Sequence, residues 1–223
     1  MTTPIVHMQG VSKSYVGSGE TDAVLHRLDL TLLPGEKASL IGPSGCGKST
    51  LLLLIAGLLR PDAGTISIDA VAMSDLGDLA RAEVRASRIG IALQSDNLIP
   101  FLSAVENVEL AVAFGPRRRR GYARARAFDL LERFGVAHRA HQRPRQLSGG
   151  EAQRVALAVS LANDPGLLLA DEVVAQLDEE TAADVITQVL HGDFAVLYVT
   201  HEVAIADLAD QRYAMSERGV SLR

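Results

Sequence analysis

Residues 42–49 read Gly42-Pro43-Ser44-Gly45-Cys46-Gly47-Lys48-Ser49 and match the pattern G-x-x-x-x-G-K-[ST]. An apolar stretch at 38–41 predicts a buried strand before them, and the apolar stretch after them predicts a helix that ends before Pro61. Glycines in such a turn let backbone N–H groups close around a β-phosphate, because no Cβ blocks the approach. Lys48 would place its charge on the β- and γ-phosphates, and the Ser49 hydroxyl is suited to Mg²⁺. The stretch therefore predicts a strand–loop–helix phosphate site, with Thr50 as a further contact.

A second candidate lies at 167–172, where an apolar run ends in the carboxylates Asp171 and Glu172. A buried strand that ends in two acids must supply them with partners, because an unpaired buried charge is costly. Asp171 is suited to the coordination shell of Mg²⁺, and Glu172 to orienting or deprotonating an attacking water. In isolation the pair could equally begin a helix, but the phosphate loop upstream favours the catalytic interpretation.

Apolar runs that alternate with helical patterns indicate an α/β fold with a mainly parallel sheet, which binds ligands at the carboxyl ends of its strands. The predicted strands cover 5–8, 28–32, 38–41, 65–68, 89–93, 167–170 and 195–199. Ser103 and Glu106 have the spacing of a capping box and predict a helix over 104–114. A second amphipathic helix should end at Gly135, and another should cover 180–190. The helix that ends at Gly135 is expected to bury one face, formed by Ala127, Leu130, Leu131 and Phe134.

A third candidate is the turn Ser148-Gly149-Gly150, which runs into a helix with no proline for ten residues. The first-turn N–H groups of a helix are unpaired, and its dipole is positive there, so the turn can hold an anion. Taken alone, the turn is also compatible with an ordinary helix start. The phosphate loop about a hundred residues upstream favours the anion site.

Composition limits the classes of function. The 223 residues suffice for one α/β domain, and the net charge of −5 argues against general binding of nucleic acid or anionic lipid. Cys46 has no cysteine to pair with, which is typical of a reducing cytosolic compartment. We find no signal-peptide pattern and no apolar run of about 20 residues, so we expect membrane contact only through a partner.

In this order, the phosphate loop, Leu147-Ser148-Gly149-Gly150, the strand ending in Asp171-Glu172 and His201 resemble the nucleotide-binding domain of ABC transporters. The resemblance extends from 15 to 201 and beyond. It implies a P-loop NTPase (RecA-like) core with an N-terminal antiparallel β-subdomain, formed by residues 1–75 and 166–223. It also implies an inserted α-helical subdomain, residues 76–165, which carries the Q-loop and the signature.

The resemblance assigns further roles one residue at a time. Tyr15 occupies the position that stacks on adenine, and Gln94 that of the Q-loop glutamine, which reaches Mg²⁺ and the attacking water. His201 resembles the switch histidine that contacts the γ-phosphate. Each of these three residue types, taken singly, is also compatible with a structural role.

The signature implies a dimer. Ser148, Gly149 and Gly150 would bind the γ-phosphate of a nucleotide held by a second ATPase subunit, either an identical chain or a close paralogue. Asp178 ends the D-loop, another nucleotide contact. The chain departs from the family here, because Val173-Val174-Ala175-Gln176 stand where Pro-Thr and small polar residues are usual. We expect this departure to affect the coupling between the two nucleotide sites and the rate of turnover more than ATP binding itself.

The implied activity is hydrolysis of ATP to ADP and phosphate, with Mg²⁺, in a subunit that energises a separate transmembrane permease at the cytoplasmic side of the plasma membrane. Residues 94–100 and 104–108 resemble the branch that serves lipoprotein release, macrolide or peptide export and division-site signalling. The apolar residues Phe101, Leu102 and Val105 are compatible with a place in the core, but in that family the corresponding stretch lines the groove for the membrane partner. Two alternatives stay open: an ATPase that signals through its membrane partner without transport, and a soluble ABC ATPase acting on DNA or ribosomes. Import and export are both compatible with these residues.

Overall fold

The computed structural model describes residues 2–16, 21–92, 98–115, 120–174, 177, 179–216 and 219–222. The strands in these ranges are β1 (Val6–Val16), β2 (Thr21–Leu32), β3 (Lys37–Ile41), β4 (Ala63–Ile68), β5 (Val71–Ala72), β6 (Ile89–Ala92), β7 (Leu167–Asp171), β8 (Ala195–Val199), β9 (Gln211–Ser216) and β10 (Gly219–Leu222). The helices are α1 (Lys48–Ile55), α2 (Asp78–Arg88), α3 (Ala104–Phe114), α4 (Arg120–Arg133), α5 (Gly149–Ser160), α6 (Glu179–Leu190) and α7 (Val203–Ala206).

The first sheet is antiparallel, with strand order β2-β1-β4-β5. Its inner face is apolar, and Val6, Met8, Leu30 and Leu32 are nearly or fully buried. β1 continues far beyond the predicted strand at 5–8, because irregular pairing after Met8 breaks the alternation that sequence reasoning relies on. Gly10 lies at this irregularity with a φ of 58°, which glycine adopts without strain.

The second sheet has the order β10-β9-β3-β8-β7-β6, in which all neighbouring pairs are parallel except β10 with β9. Every residue of β7 and β8 is buried, as expected for parallel strands covered on both faces. The predicted strands at 38–41, 167–170 and 195–199 are confirmed as β3, β7 and β8. β9 and β10 were not predicted, because they carry polar residues such as Gln211 and Arg212 instead of an apolar run.

Two apolar clusters hold the elements together. α1 packs Leu51, Leu52 and Leu54 into the cluster shared with the first sheet. α3, α4 and α5 pack on one another in the second cluster, where the predicted inner face of α4 is confirmed. The four residues of that face, Ala127, Leu130, Leu131 and Phe134, are at most 1% exposed.

Val105 lies in the same cluster and is 1% exposed, which agrees with the core alternative for this residue and not with a partner groove. Its position on the buried side of α3 follows from the helical spacing with Val108 and Val112. Phe101, in contrast, is 69% exposed. Among the described residues, none of the helices has the length and apolarity needed to cross a bilayer.

Candidate functional site

The carboxyl ends of three adjacent parallel strands bring the predicted catalytic segments together. Leu40 of β3 and Asp171 of β7 both pair with Val199 of β8. The Thr200 N–H donates to the Leu40 carbonyl at 3.4 Å, which fixes the turn after β8 beside the turn after β3. Residues 42–49, Asp171-Glu172 and Thr200-His201 therefore leave the sheet at one edge, where open α/β sheets bind ligands.

The loop at 42–49 requires its glycines. Gly45 and Gly47 have φ values of 79° and 97°, a region that side chains disfavour. A Cβ on Gly42 would lie 2.5 Å from the Met215 carbonyl oxygen, and one on Gly47 would lie 2.7 Å from Val24. α1 begins directly after Gly47 with no side-chain cap on its first N–H groups. The loop is thus a backbone cradle at a helix N-terminus, which suits a phosphate.

Lys48 crosses this cradle. Its Nζ donates to the carbonyl oxygens of Gly42 and Pro43, at 2.9 Å each, and the residue is only 7% exposed. The ammonium group is therefore held over the loop by two of its three donors. A polyphosphate in the cradle would meet this charge directly.

Glu172 and His201 form a direct pair, with 2.6 Å between Glu172 Oε1 and His201 Nε2. Glu172 has a φ of 50°, and its N–H donates to the Val199 carbonyl at 3.1 Å. The turn directs its side chain towards the end of β8, where His201 is half exposed. Sequence reasoning singled out both residues but did not foresee that they touch, because the contact depends on β7 and β8 being neighbours.

The donors at this edge fit a magnesium ion. Asp171 is 7% exposed at the end of β7, and Ser49 follows Lys48 in the first turn of α1. Mg²⁺ in nucleotide sites takes one or two protein oxygens and completes its shell with phosphate and water. Among the described residues, no group of three His, Cys, Asp or Glu forms a separate metal cage. A carboxylate with a hydroxyl is the donor set that such a phosphate-bound ion needs.

Tyr15 lies beside the phosphate loop at the end of β1. Its ring is 41% exposed, and its hydroxyl is 3.4 Å from Thr50 Oγ1. Asp62 holds the strand in place, since its carboxylate accepts from Lys13 Nζ and from the Ser14 N–H, at 2.7 Å each. These two contacts, the Lys13 side chain first, lower the pKa of Asp62. Sequence reasoning missed the supporting role of Lys13 and Asp62, since they are 49 residues apart.

The signature turn lies on a different face. Ser148 caps α5 in a capping box: its Oγ accepts from the Glu151 N–H at 3.3 Å, and Glu151 Oε2 accepts from the Ser148 N–H at 2.8 Å. The Ser148 N–H, followed by Arg139, lowers the pKa of Glu151 to about 2. Ser148 and Gly149 are exposed. The spacing of Ser148 and Glu151 in the sequence could have predicted this box.

A groove of about 490 Å³ opens over the signature turn. The residues that line it come from the segment after α4, the signature with the first turns of α5, Leu177 and the first turn of α6: Gly135, Val136, His138, Ser148, Gly149, Gly150, Glu151, Arg154, Leu177 and Thr181. None of these belongs to the chain's own phosphate loop. The structure therefore brings residues 42–50, Asp171, Glu172, His201 and Tyr15 to one site, and Ser148, Gly149 and Gly150 to another.

The atypical segment after Glu172 is partly described. Val173 and Val174 are 6% and 3% exposed and belong to the apolar cluster of the helices. The Leu177 N–H donates to the Val174 carbonyl at 3.0 Å, and a Cβ on Gly150 would lie 2.8 Å from Leu177 Cδ2. The two valines thus anchor this turn against the signature. Gln94, Ala175, Gln176 and Asp178 lie outside the described residues.

Known proteins resemble this chain over its full length. The model of the ABC transporter family matches residues 25–175. The lipoprotein-releasing system ATP-binding protein LolD 2 of Caulobacter vibrioides is 39% identical over 227 residues, covering 100% of this chain and 99% of that protein. The macrolide export ATP-binding/permease protein MacB of Sodalis glossinidius is 39% identical over 209 residues, covering 92% of this chain and 32% of that protein.

A solved structure has the same fold. The dimeric structure of a post-hydrolysis state of the ATP-binding cassette MJ0796, bound to ADP and Pi, superposes with a TM-score of 0.92 and 35% identity. The match covers 97% of this chain and 96% of that chain. The expected P-loop NTPase fold is confirmed by this likeness.

Proposed function

Since the chain belongs to the ABC transporter family, we propose that two copies of this ATPase close around ATP and thereby drive a separate transmembrane permease. We infer that the cargo is a lipoprotein released from the membrane. The relative from Caulobacter vibrioides, which matches along its whole length, is named as the ATP-binding protein of a lipoprotein-releasing system. Macrolide export is the second candidate, favoured by the relative from Sodalis glossinidius. The subunit would work at the cytoplasmic side of the plasma membrane, held there by the permease.

The chain's own residues would divide the work of hydrolysis. The glycine loop and the first turn of α1 bind the phosphates, and Lys48 turns from the loop carbonyls to the β- and γ-phosphates. Tyr15 stacks on the adenine with its half-exposed ring. Ser49, Asp171 and Gln94 would hold Mg²⁺, which supplies neutralisation of the phosphate charge when bound.

Glu172 and His201 would position the attacking water. The Glu172 carboxylate accepts a proton from the water, and His201 holds that carboxylate in place at 2.6 Å before it turns to the γ-phosphate. The contact between Glu172 and His201 is the observation that carries the assignment of hydrolysis to this edge. It lies at the ends of β7 and β8, and β8 is the neighbour of β3, which leads into the phosphate loop.

The second chain would complete each site. Ser148, Gly149 and Gly150 would donate to the γ-phosphate of the ATP on the facing copy, and Asp178 would add a further nucleotide contact. The groove over this exposed turn is lined by no residue of the chain's own phosphate loop, so the turn is suited to a nucleotide held elsewhere. Because one chain offers both a phosphate loop and a signature, two copies would form two sites.

A second groove, of about 550 Å³, is suited to the permease. It lies between α2, β6 and the ends of α3 and α5, and Leu79 and Phe114 at its rim are 85% and 69% exposed. Exposed apolar side chains of this size mark partner surfaces, so we propose that a cytoplasmic helix of the permease lies here.

The Glu172→Gln variant tests the hydrolytic assignment. The amide cannot accept the proton, so kcat should fall by at least about 100-fold, while ATP binding and ATP-dependent dimerisation persist. Phosphate release and size-exclusion chromatography measure these quantities. Hydrolysis near the wild-type rate would refute the role of Glu172.

Reconstitution tests the cargo. Reconstituted with its transmembrane permease, the ATPase should release a lipid-anchored protein from vesicles in an ATP-dependent manner. Macrolide flux without lipoprotein release would favour the second candidate. Partner-stimulated hydrolysis without movement of either cargo would indicate the signalling alternative.

A further inference from the structure

The signature turn carries a negative charge that its proposed ligand would repel. Glu151 lies three residues after Ser148 and lines the same groove as Ser148, Gly149 and Gly150. Its pKa of about 2 keeps the carboxylate ionised at neutral pH. If the groove receives the γ-phosphate of a second chain's ATP, this charge faces another negative charge across a short distance.

The two oxygens of the Glu151 carboxylate have different partners. Oε2 accepts from the Ser148 N–H at 2.8 Å and closes the capping box. Oε1 lies 2.7 Å from Arg139 Nε and 3.6 Å from His138 Nε2. The contact at Oε2 shapes the turn, whereas the contact of Oε1 with Arg139 compensates the charge of the Glu151 carboxylate.

Arg139 is well placed for this task. It ends the short 3₁₀ turn Ala137–Arg139 after α4, and its N–H donates to the Val136 carbonyl at 2.9 Å. Val136 and Ala140 on either side of the turn are 1% and 2% exposed, so the backbone that carries Arg139 is anchored in the core. The side chains of Glu151 and Arg139 are 19% and 39% exposed, so water screens this ion pair in part, and the 2.7 Å contact carries the argument.

We propose that Arg139 is a positioning residue of the signature: it neutralises and orients the Glu151 carboxylate so that the turn can accept the phosphates of ATP bound to a second copy of the chain. The proposal rests on the dimer proposed above. With Arg139 in place, Arg154 in the same groove adds an attractive charge that Glu151 does not cancel. Without Arg139, the Glu151 carboxylate would be free to repel the incoming phosphate.

The test measures the ATP concentration for half-maximal dimerisation in the Glu172→Gln chain, which cannot turn the nucleotide over. Arg139→Ala should raise this concentration about tenfold, whereas Arg139→Lys, which keeps the charge, should raise it by less than about threefold. The double variant Arg139→Ala/Glu151→Gln should return to within about threefold of the parent, because the uncompensated charge is gone.

A purely structural role for Arg139 gives a different pattern. The double variant would then be as defective as Arg139→Ala or worse, since it weakens the capping box as well, and that result would overturn the proposal. Unchanged ATP dependence in Arg139→Ala would overturn it too. Arg124→Ala is the matched control: it removes a 3.0 Å pair with Glu109 between α3 and α4, outside the groove, and should leave dimerisation unchanged.

The outcomes separate the inference from the proposed function. If the Glu172→Gln parent stays monomeric at saturating ATP, the dimer itself is wrong and the inference fails with it. If the parent dimerises but the double variant is not rescued, only the role of Arg139 is wrong. Thermal unfolding of each variant shows whether a loss of dimer reflects a loss of fold.

Discussion

Two helices of this chain begin with the same capping box in different surroundings. At α3, Ser103 and Glu106 bond each other's N–H groups, and at α5 Ser148 and Glu151 do the same. Ser103 is 8% exposed beside the Asn107 side chain, whereas Ser148 is exposed at the rim of a groove. The same local chemistry can fasten a helix or present a binding surface, and only its surroundings decide which.

Ser148→Ala should produce the largest effect on activity. The alanine removes the helix cap and the hydroxyl offered to the γ-phosphate, so kcat should fall by about 100-fold. The free energy of unfolding should fall by only about 1 kcal/mol. Steady-state hydrolysis and denaturant unfolding measure the two quantities. A loss of stability without a loss of hydrolysis would show that the α5 box, like the α3 box, only fastens its helix.

Asn107→Ala should produce the largest effect on stability. Its amide accepts from the Ile99 N–H at 2.7 Å and donates to the Ser103 carbonyl at 2.9 Å, and the residue is 4% exposed. Truncation leaves these buried groups unpaired and should cost about 2 to 3 kcal/mol in urea unfolding. A cost below about 0.5 kcal/mol would show that the segment before α3 is not fastened by this side chain.

Ser103→Ala is the matched counterpart of Ser148→Ala. It removes the same cap at α3 and should also cost about 1 kcal/mol of unfolding free energy. Hydrolysis should stay within about twofold of wild type, because Ser103 has no place at the nucleotide. A large fall in kcat with unchanged stability would show that the α3 box is not merely structural.

The smallest expected effect is on the pH dependence of the melting temperature, and it concerns the Glu151 carboxylate of the α5 box. The pKa of Glu151 is depressed from 4.5 to about 2, so its stabilising contribution is complete above pH 4.5 and is lost as the pH falls towards 2. In Glu151→Gln this loss should be absent, and the melting temperature should fall less steeply over that pH range than in wild type. Parallel slopes would show that folding does not depress the pKa of Glu151.

Several features followed from the sequence because they depend on neighbours along the chain. The glycine loop, the α3 box, the buried strands β3, β7 and β8 and the inner face of α4 are of this kind. The contacts that join distant segments could not be read in this way. The pair Glu172–His201 depends on strand order, and Lys13–Asp62 on the pairing of β1 with β4.

The expectations that fell short or left alternatives open have equally local causes. Val105 is the second residue of α3 and is apolar, and only the helical packing shows that it belongs to the core. β1 was underestimated because its irregular pairing disrupts the alternation. The roles of individual site residues stay predictions, since they concern ATP and a second chain.

The left-handed backbone at Glu172 has a consequence for evolution. A φ of 50° is strained for any residue with a side chain, at a cost of roughly 1 kcal/mol, whereas glycine adopts it freely. A glycine at this position would relieve the strain but would also lose the 2.6 Å contact with His201. Retention of Glu172 therefore carries a backbone cost that its side-chain contacts and its role in turnover must offset.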